Sequence, residues 1–356
     1  MKKHNFYAGP AILPQSVLQE AAQAVLDFNG SGLSLLEISH RSKDFEAVMH
    51  ESDERVKKLL QIGDEYAVLF LGGGASLQFS MVPMNLLRDG EKAYYSNTGV
   101  WASGAIREAK LYGQAVVLAS SESDQFRYIP RDYNIPNDGA YFHMTSNNTI
   151  YGSQYHWWPQ SELPLICDMS SDLFSRPVDG KKFGLIYAGA QKNLGPAGVT
   201  LVVIHKNLIS RSGRKLPAML DYKTHAEKGS MYNTPPVFPI YVSLLTMRWI
   251  EKIGGLEKIQ ALNEAKANLL YAEIDRNSCF EGTVNVEDRS LMNVVFVPKK
   301  QEYESMFLDR CKAAGCVGLN GHRSVGGFRA SLYNALELSS VETLVNLMQD
   351  FEKNVG

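Results

Sequence analysis

The chain has 356 residues, with 36 Lys and Arg against 38 Asp and Glu, and its formal net charge is −2. This balance excludes a general nucleic-acid or membrane-surface binder, because such proteins carry an excess of basic residues. Apolar residues make up 45% of the chain and charged residues 21%, a composition that excludes a disordered chain and is typical of a globular protein. The length is enough for two domains.

The cysteines and apolar runs indicate a protein of a reducing compartment. Four cysteines are too few for a disulfide framework and their spacing does not fit a zinc site, so we expect free thiols and no metal. No apolar stretch approaches the roughly 18 residues of a transmembrane helix. Gly9-Pro10 and Pro14 interrupt the start of the chain, which does not fit a signal peptide. We therefore expect a cytoplasmic protein that binds neither membranes nor nucleic acid.

Seven short apolar runs recur before residue 205, and helix-like stretches separate several of them. The runs are continuous rather than alternating, as expected for strands buried on both faces. Strands that alternate with helices predict an α/β domain with a mostly parallel, seven-stranded sheet flanked by helices. The runs span 67–71, 93–95, 115–118, 141–144, 165–167, 185–187 and 199–204, and helices are predicted over 76–87 and 99–110.

The pattern changes after Pro235-Pro236, where longer helices begin. The later elements predict a smaller α+β domain at the C-terminus, of ordinary domain size. We place the boundary within the second long helix, giving a large domain over 16–260 and a small domain over 1–15 and 261–356. The predicted elements are helices over 240–253 and 256–275, a strand over 293–297, a helix over 302–313, a strand over 328–333 and a helix over 341–352.

A glycine-rich turn joins the first predicted strand to the first predicted helix. In Gly72-Gly73-Gly74-Ala75-Ser76 the glycines let the backbone approach a ligand, and free N–H groups at the helix start can face an anion. The spacing matches neither G-x-G-x-x-G nor a P-loop. The turn predicts a phosphate cradle, although an ordinary strand-to-helix turn fits these glycines equally well.

An acid and an amine follow two of the predicted strands. Asp168 comes directly after 165–167, and Lys192 follows 185–187 among small residues. The carboxyl ends of parallel strands meet at the ligand crevice of an open α/β sheet. Pyridoxal phosphate needs a lysine for its Schiff base, an acid for its pyridinium nitrogen and an anion site for its phosphate. Taken alone, Asp168 is equally compatible with a helix cap, but together with Lys192 and the cradle it favours this cofactor.

Further side chains could bind a flat ring and anions. Trp101 opens a predicted helix after a strand and can stack on a ring, although an aromatic there is more often part of a core. The tripeptide His-Arg-Ser occurs twice, and arginine suits carboxylate and phosphate. Each arginine alone is more typical of a solvated surface, but together they predict a local anion site: His40, Arg41, His322, Arg323 and the nearby Arg329.

Four segments of the chain resemble the phosphoserine aminotransferases, pyridoxal-phosphate enzymes of fold type I in the class V aminotransferase group. The resemblance extends from residue 5 to residue 334. It implies reversible transamination between 3-phosphohydroxypyruvate with L-glutamate and O-phospho-L-serine with 2-oxoglutarate, in L-serine biosynthesis. It leaves open a second role toward 4-phosphohydroxy-L-threonine in pyridoxine biosynthesis. The segments are 37–42, the G-G-G-A-S-L-Q-F run from Gly72, 189–198 and 321–331.

The resemblance also implies residue roles and a homodimer with shared active sites. Lys192 would form the Schiff base, and Asp168 would partner the pyridinium nitrogen. The other cofactor contacts would be Trp101 on the ring, Thr149 near its hydroxyl, the N–H groups of Ala75 and Ser76 with Gln191 at the phosphate, and Asn233 and Thr234 from the neighbouring subunit. Substrate acid groups would meet Arg41 and Arg329, with His40, His322 and Arg323 completing the phosphate pocket.

Two positions depart from the family pattern, and two rival functions remain. Asn148 stands where the family usually has glutamate, and Ser76 where many members have arginine. One rival is another class V aminotransferase or lyase, against which the doubled His-Arg-Ser argues. The other is a non-catalytic cofactor- or nucleotide-binding protein, against which the pairing of Lys192 with Asp168 argues.

Overall fold

The computed structural model describes residues 3–355, and Met1, Lys2 and Gly356 lie outside the described residues. The helices are α1 (Gln15–Leu26), α2 (Lys43–Leu60), α3 (Gly74–Leu86), α4 (Val100–Ala109), α5 (Tyr222–Glu227), α6 (Val237–Lys252), α7 (Gly255–Arg276), α8 (Glu302–Ala313) and α9 (Leu338–Val355). The strands are β1 (His4–Asn5), β2 (Tyr66–Leu71), β3 (Lys92–Asn97), β4 (Gln114–Ser120), β5 (Phe142–Thr145), β6 (Leu165–Asp168), β7 (Leu185–Gly189), β8 (Thr200–His205), β9 (Phe280–Gly282), β10 (Asn293–Pro298), β11 (Cys316–Val317) and β12 (Phe328–Ser331).

A seven-stranded sheet forms the centre of the large domain. Its strand order is β2-β8-β7-β6-β5-β3-β4, and β8 runs antiparallel to both of its neighbours while the other pairs are parallel. Helices α3 and α4 cover one face of the sheet, and α1, α2 and α6 cover the other. The prediction of an α/β domain with a mostly parallel seven-stranded sheet is confirmed.

The edge strand β4 corrects one expectation. The run 115–118 was predicted to be buried on both faces, but the residues of β4 are only partly covered, and Val117 is 42% exposed. The reason is its position, because β4 ends the sheet and pairs with β3 alone. Apolar continuity does not distinguish a central strand from an edge strand.

Helix α2 was not predicted, although its sequence is amphipathic. Ser42 caps it by accepting a hydrogen bond from the Phe45 N–H at 3.4 Å. Buried residues at Phe45, Val48, Met49 and Val56 follow the three- and four-residue spacing of a helix that packs one face on a core. This periodicity was the signal that could have revealed it.

The small domain contains an antiparallel sheet of order β12-β10-β9, and β1 pairs with β11 in parallel beside it. Aromatic side chains fill the space between this sheet and the helices. The ring of Phe280 is central, with centroids 4.8 to 5.8 Å from its neighbours. Those neighbours are Phe296, Phe307, Phe328 and Phe351.

Within α7 the chain passes from the hydrophobic core of the large domain to that of the small domain. Leu256 and Ile259 pack in the core of the large domain, whereas Ala267 and Leu270 pack in that of the small domain. This separation supports our proposal that the large domain spans 16–260 and the small domain 1–15 and 261–356. All four cysteines are buried and unpaired. None of the helices within residues 3–355 is long and apolar enough to cross a membrane.

Candidate active site

A cavity of about 400 Å³, called here the main cavity, lies where the carboxyl ends of β5, β6 and β7 meet the small domain. The parallel strands bring side chains distant in sequence to one edge of the sheet. Residues from both domains and from the N-terminal segment line the cavity. They include Ala8, Gly9, Ala75, Ser76, Trp101, Thr145, Asn147, Thr149, Asp168, Ser170, Gln191, Lys192, His322 and Arg329.

Asp168, the last residue of β6, lies at the bottom of the cavity and is 4% exposed. Its Oδ1 accepts a hydrogen bond from the Ser170 N–H at 2.9 Å. Burial raises the pKa of Asp168, and the hydrogen bonds from Ser170 and the charge of Lys192 oppose that rise. The Ser170 N–H thus holds one carboxylate oxygen of Asp168, and the carboxylate can pair with a cationic group in the cavity.

Lys192 lies in the turn that follows β7, and β7 pairs with β6, the strand that ends at Asp168. Its Nζ donates to Thr149 Oγ1 at 3.2 Å. Burial lowers the pKa of Lys192, Asp168 opposes the shift, and the positive charge of Arg329 adds to it. A lowered pKa increases the neutral fraction of the amine, which is the form that acts as nucleophile and base.

The glycine-rich turn forms an open helix start. Gly73 precedes α3 in the left-handed region (φ 91°), and a Cβ there would lie 2.4 Å from Leu77 Cδ2. Only glycine therefore fits this approach to the helix. The N–H groups of Ala75 and Ser76 belong to the first turn of α3, where no intrahelical acceptor is available. With Gln191 beside them in the cavity wall, they can bind an anion.

Trp101 stands in the first turn of α4 and lines the cavity. The turn ahead of it is braced by Asn148, whose Oδ1 accepts from Thr98 Oγ1 at 3.4 Å and whose Nδ2 donates to Ser153 Oγ at 3.0 Å. Asn148 is 1% exposed. The family departure at this position is therefore accommodated by a neutral amide whose donor and acceptor are both used.

Arg329 extends from β12 of the small domain into the cavity. Its Nη1 donates to the Thr149 carbonyl at 3.4 Å, and its Nε is buried without a partner. A guanidinium that lines a polar cavity is suited to a ligand carboxylate or phosphate. His322 also lines the cavity, and burial, followed by the charges of Arg329 and Arg323, lowers the pKa of His322.

Five predicted residues do not line the main cavity of the single chain. Arg323 is exposed beside His322, and Arg41 is exposed ahead of α2. His40 has a buried Nε2 without a partner. Asn233 and Thr234 lie in an exposed loop and border a second cavity of about 380 Å³, which also includes Gly72 and Leu77 at the far side of the cradle.

The sequence did not reveal a buried polar cluster behind the cavity wall. Asn147 Nδ2 donates to Ser171 Oγ at 2.8 Å and to Asn293 Oδ1 at 2.7 Å, and its Oδ1 accepts from Ser290 Oγ at 2.5 Å. These bonds join the large domain to β10. Ser170, two residues after Asp168, was also missed, although an Asp-x-Ser spacing after a strand is a local signal for such a cap.

The hydrogen-bonding and charged groups that line the cavity match those that pyridoxal phosphate needs. A buried carboxylate and a lysine of lowered pKa face one space, the free N–H groups of α3 open into it, and the tryptophan stands at its rim. The guanidinium of Arg329 also lines the cavity and offers a site for an amino-acid carboxylate.

Comparison with known proteins agrees with this geometry. The model of the class-V aminotransferase family matches residues 3–344. A phosphoserine aminotransferase of Flavobacterium psychrophilum is 58% identical over 356 residues, covering 100% of both chains. The solved phosphoserine aminotransferase of Bacillus circulans subsp. alkalophilus is 46% identical with a TM-score of 0.97, covering 100% of this chain and 99% of that one. The pyridoxal-phosphate-bound phosphoserine aminotransferase of Trichomonas vaginalis is 36% identical with a TM-score of 0.92, covering 98% and 100%. The chain therefore belongs to the class-V aminotransferase family and, within it, to the phosphoserine aminotransferases.

Proposed function

We propose that the protein uses pyridoxal 5′-phosphate to transfer an amino group between L-glutamate and 3-phosphohydroxypyruvate, giving 2-oxoglutarate and O-phospho-L-serine, reversibly. The observation that carries this proposal is the pairing of Asp168 and Lys192 at neighbouring strand ends, in a cavity also lined by a helix start and by Arg329. When bound, the cofactor supplies an electron-poor ring that stabilises negative charge at the substrate Cα.

Lys192 moves the proton in this scheme. The lowered pKa leaves more of the Nζ neutral, so with the cofactor bound it could take a proton from the substrate Cα and return it to the cofactor carbon on the other side of the linking nitrogen. The hydrogen bond to Thr149 Oγ1 holds the amine on the side of the cavity next to the Arg329 strand. Asp168 accepts from the protonated ring nitrogen and keeps that nitrogen positively charged.

The other residues that line the cavity would bind and orient the cofactor and the substrate. The first turn of α3 and Gln191 hold the cofactor phosphate, and Trp101 covers one ring face. Arg329 would take the substrate α-carboxylate, because its side chain lines the cavity and its Nη1 lies beside Thr149. His322 and Arg323 would take the substrate phosphate, because they are neighbours in the loop ahead of β12 and the charges of Arg323 and Arg329 both act on His322.

A homodimer would complete the site. Arg41, with His40, and the Asn233-Thr234 loop would reach the phosphate sites of the partner subunit. The exposure of Arg41, Asn233 and Thr234 in the single chain supports this. Exposed apolar side chains also lie close to both segments in sequence: Leu36 is 61% exposed and Tyr232 is 44% exposed. We also propose a cytoplasmic location and a role in L-serine biosynthesis, where the product phosphoserine is consumed by a phosphatase reaction.

A coupled transaminase assay tests the function. We expect turnover of phosphoserine with 2-oxoglutarate, and a kcat/KM for serine lower by two or more orders of magnitude, because serine leaves the arginines without a phosphate. In Arg323→Ala the preference for phosphoserine should shrink, whereas Arg329→Ala should weaken both substrates alike.

One outcome of this assay would change the assignment. Equal rates with serine and phosphoserine would refute the phosphate pocket and favour another class V aminotransferase or lyase. Including 4-phosphohydroxythreonine as a third substrate decides whether the pyridoxine route is also served.

A further inference from the structure

A lysine is buried in the middle of α7, near the junction of the two domains. Lys266 is 1% exposed. Its Nζ donates to two main-chain oxygens, that of Leu332 at 2.7 Å and that of Tyr333 at 2.8 Å. Burying an amine costs free energy unless its N–H groups are bonded, and a methionine would fill the same space without that cost. Lys266 therefore contributes hydrogen bonds to residues 332–334 rather than packing.

Residues 332–334, called here the 332–334 segment, adjoin two walls of the main cavity. The segment follows β12 directly, and β12 carries Arg329. The Leu332 N–H donates to the Met292 carbonyl at 2.7 Å, which continues the ladder with β10. The Tyr333 hydroxyl donates to the carbonyl of Ala8, a residue of the cavity wall, at 2.8 Å.

The same segment touches the turn that carries Lys192. The Asn334 N–H donates to Asn193 Oδ1 at 3.0 Å, and Asn193 Nδ2 donates to the Ser171 carbonyl at 3.4 Å. Lys192 lies outside any helix or strand, and its own N–H donates to the Ala190 carbonyl at 2.7 Å. The side chain of Asn193 adds the bonds that tie this turn to other parts of the fold, and the shortest of them comes from the 332–334 segment.

We propose that Lys266 is a positioning residue for Lys192: by binding two consecutive carbonyls of the 332–334 segment it fixes the Asn334 N–H, which in turn holds Asn193 and the turn of the reactive lysine. The proposal rests on the transamination proposed above, because its functional consequence is the rate of that reaction.

The number of N–H groups matters here more than the charge. Burial lowers the pKa of Lys266 to about 7. A neutral amine still has two N–H groups, one for each carbonyl, so both bonds persist on either side of that pH. A glutamine has two N–H donors on a slightly shorter side chain, whereas a methionine has none.

Three variants of the holoenzyme test this role: Lys266→Met, Lys266→Gln and the control Lys258→Met, which changes an exposed lysine of the same helix. The readouts are kcat and KM with phosphoserine, and amide hydrogen exchange of residues 332–336.

We expect Lys266→Met to lower kcat about 10-fold or more, because small misplacements of reacting groups have effects of this size. KM should change less than about threefold. The Asn334 amide should exchange about 10-fold faster. Lys266→Gln should recover part of both losses, and Lys258→Met should match the wild type.

Other outcomes would overturn the proposal. One is a faster exchange spread evenly over the small domain with kcat unchanged, which would make Lys266 a core residue alone. Another is a lower kcat with the Asn334 amide still protected. If Lys266→Met does not fold, Lys266→Gln and Asn193→Ala decide, and an unchanged kcat in Asn193→Ala overturns the role. A wild-type enzyme without transaminase activity would refute the proposed function instead, and the exchange data would still decide whether Lys266 holds the segment.

Discussion

Lys192 is the residue on which the proposed chemistry depends, because the fold both encloses its amine and places an acid on the neighbouring strand. Enclosure lowers the pKa of Lys192, while Asp168 limits that shift. A lowered pKa raises the neutral fraction of the amine, which is the form that acts as a general base. A lysine on an exposed helix face would have neither influence.

Replacing Lys192 by alanine should abolish turnover and leave the protein folded. Loss of the proton-transferring amine alone should cost roughly 10²- to 10⁴-fold in kcat. The free energy of unfolding should be retained, since the side chain makes one hydrogen bond, to Thr149. Steady-state assays and thermal unfolding check this, with Lys182→Ala as the control at an exposed lysine. Near wild-type turnover in Lys192→Ala would contradict the role.

Because Lys266 is buried, we predict that the free energy of unfolding depends on pH. In the folded protein the pKa of Lys266 is about 7, whereas an unfolded lysine titrates near 10.4. Between these values the unfolded state binds more protons, so the free energy of unfolding rises with pH, by up to about 1.4 kcal/mol per pH unit. Below pH about 7 both states are protonated, and this contribution no longer changes.

Urea unfolding at pH 7, 8 and 9 measures this effect as the difference between wild type and Lys266→Met, in which other titrating groups cancel. We expect the difference to move in favour of the wild type as the pH rises. A difference that stays constant over this range would show that Lys266 titrates as an ordinary lysine.

Local sequence could predict Lys192 and Asp168, because each directly follows a strand that is recognisable from its apolar run. It could not predict Lys266, because a lysine within a helix pattern is normally solvated and its burial follows from the packing of α7 on residues 332–334. The same holds for Asn147, whose partners Ser290 and Asn293 are distant in sequence.

At the scale of elements, the start of α3 and the orientation of β8 define the geometry around the cradle. The sequence predicted the strand-turn-helix unit that contains Gly73, but it did not predict that β8 runs antiparallel. The connection 190–199 offered a signal, because it is short and parallel neighbours need a crossover of about a dozen residues or more, usually a helix. The turn of Lys192 occupies this connection, so the reactive lysine sits where the sheet reverses direction.

Gly73→Ala should weaken cofactor binding through the helix start. The new Cβ would meet Leu77 and would force a left-handed conformation on alanine, so the first turn of α3 must move. We expect the dissociation constant for pyridoxal phosphate to rise about 10-fold or more, measured by absorbance titration of the apoenzyme.

Gly90→Ala is the matched control for this change. Its φ is +75°, close to that of Gly73, but a Cβ there has nothing within 4 Å. It should cost about 1 kcal/mol of stability from backbone strain and leave cofactor affinity unchanged. Equal affinity losses in both variants would show that backbone strain alone, rather than the position of α3, weakens binding.

At the scale of the whole molecule, one chain provides the cofactor's ring site and one arginine, and leaves other predicted phosphate ligands on its surface. Asn233 and Thr234 are exposed, and they border the cavity behind the cradle rather than the main cavity. A two-fold dimer repeats each contact at both sites, so a loop that does not line the main cavity of its own chain can serve that of the partner. Single-chain sequence patterns could suggest this loop only through its resemblance to the family, because no periodicity encodes a contact between subunits.

Mixed dimers test the sharing of sites. Subunits with Lys192→Ala are combined with subunits that carry both Asn233→Ala and Thr234→Ala, and the mixture is allowed to exchange. In a heterodimer, one site combines an intact Lys192 with an intact partner loop, and the other site carries all three changes. Random exchange at equal amounts makes half of the dimers mixed, and each has one working site of two, so about a quarter of wild-type activity should return.

If the loop served its own chain, each mixed dimer would hold one site that lacks Lys192 and one site with an altered loop, and the activity would stay at the average of the parents. Size measurements that give a monomer would contradict the shared site independently of the kinetics.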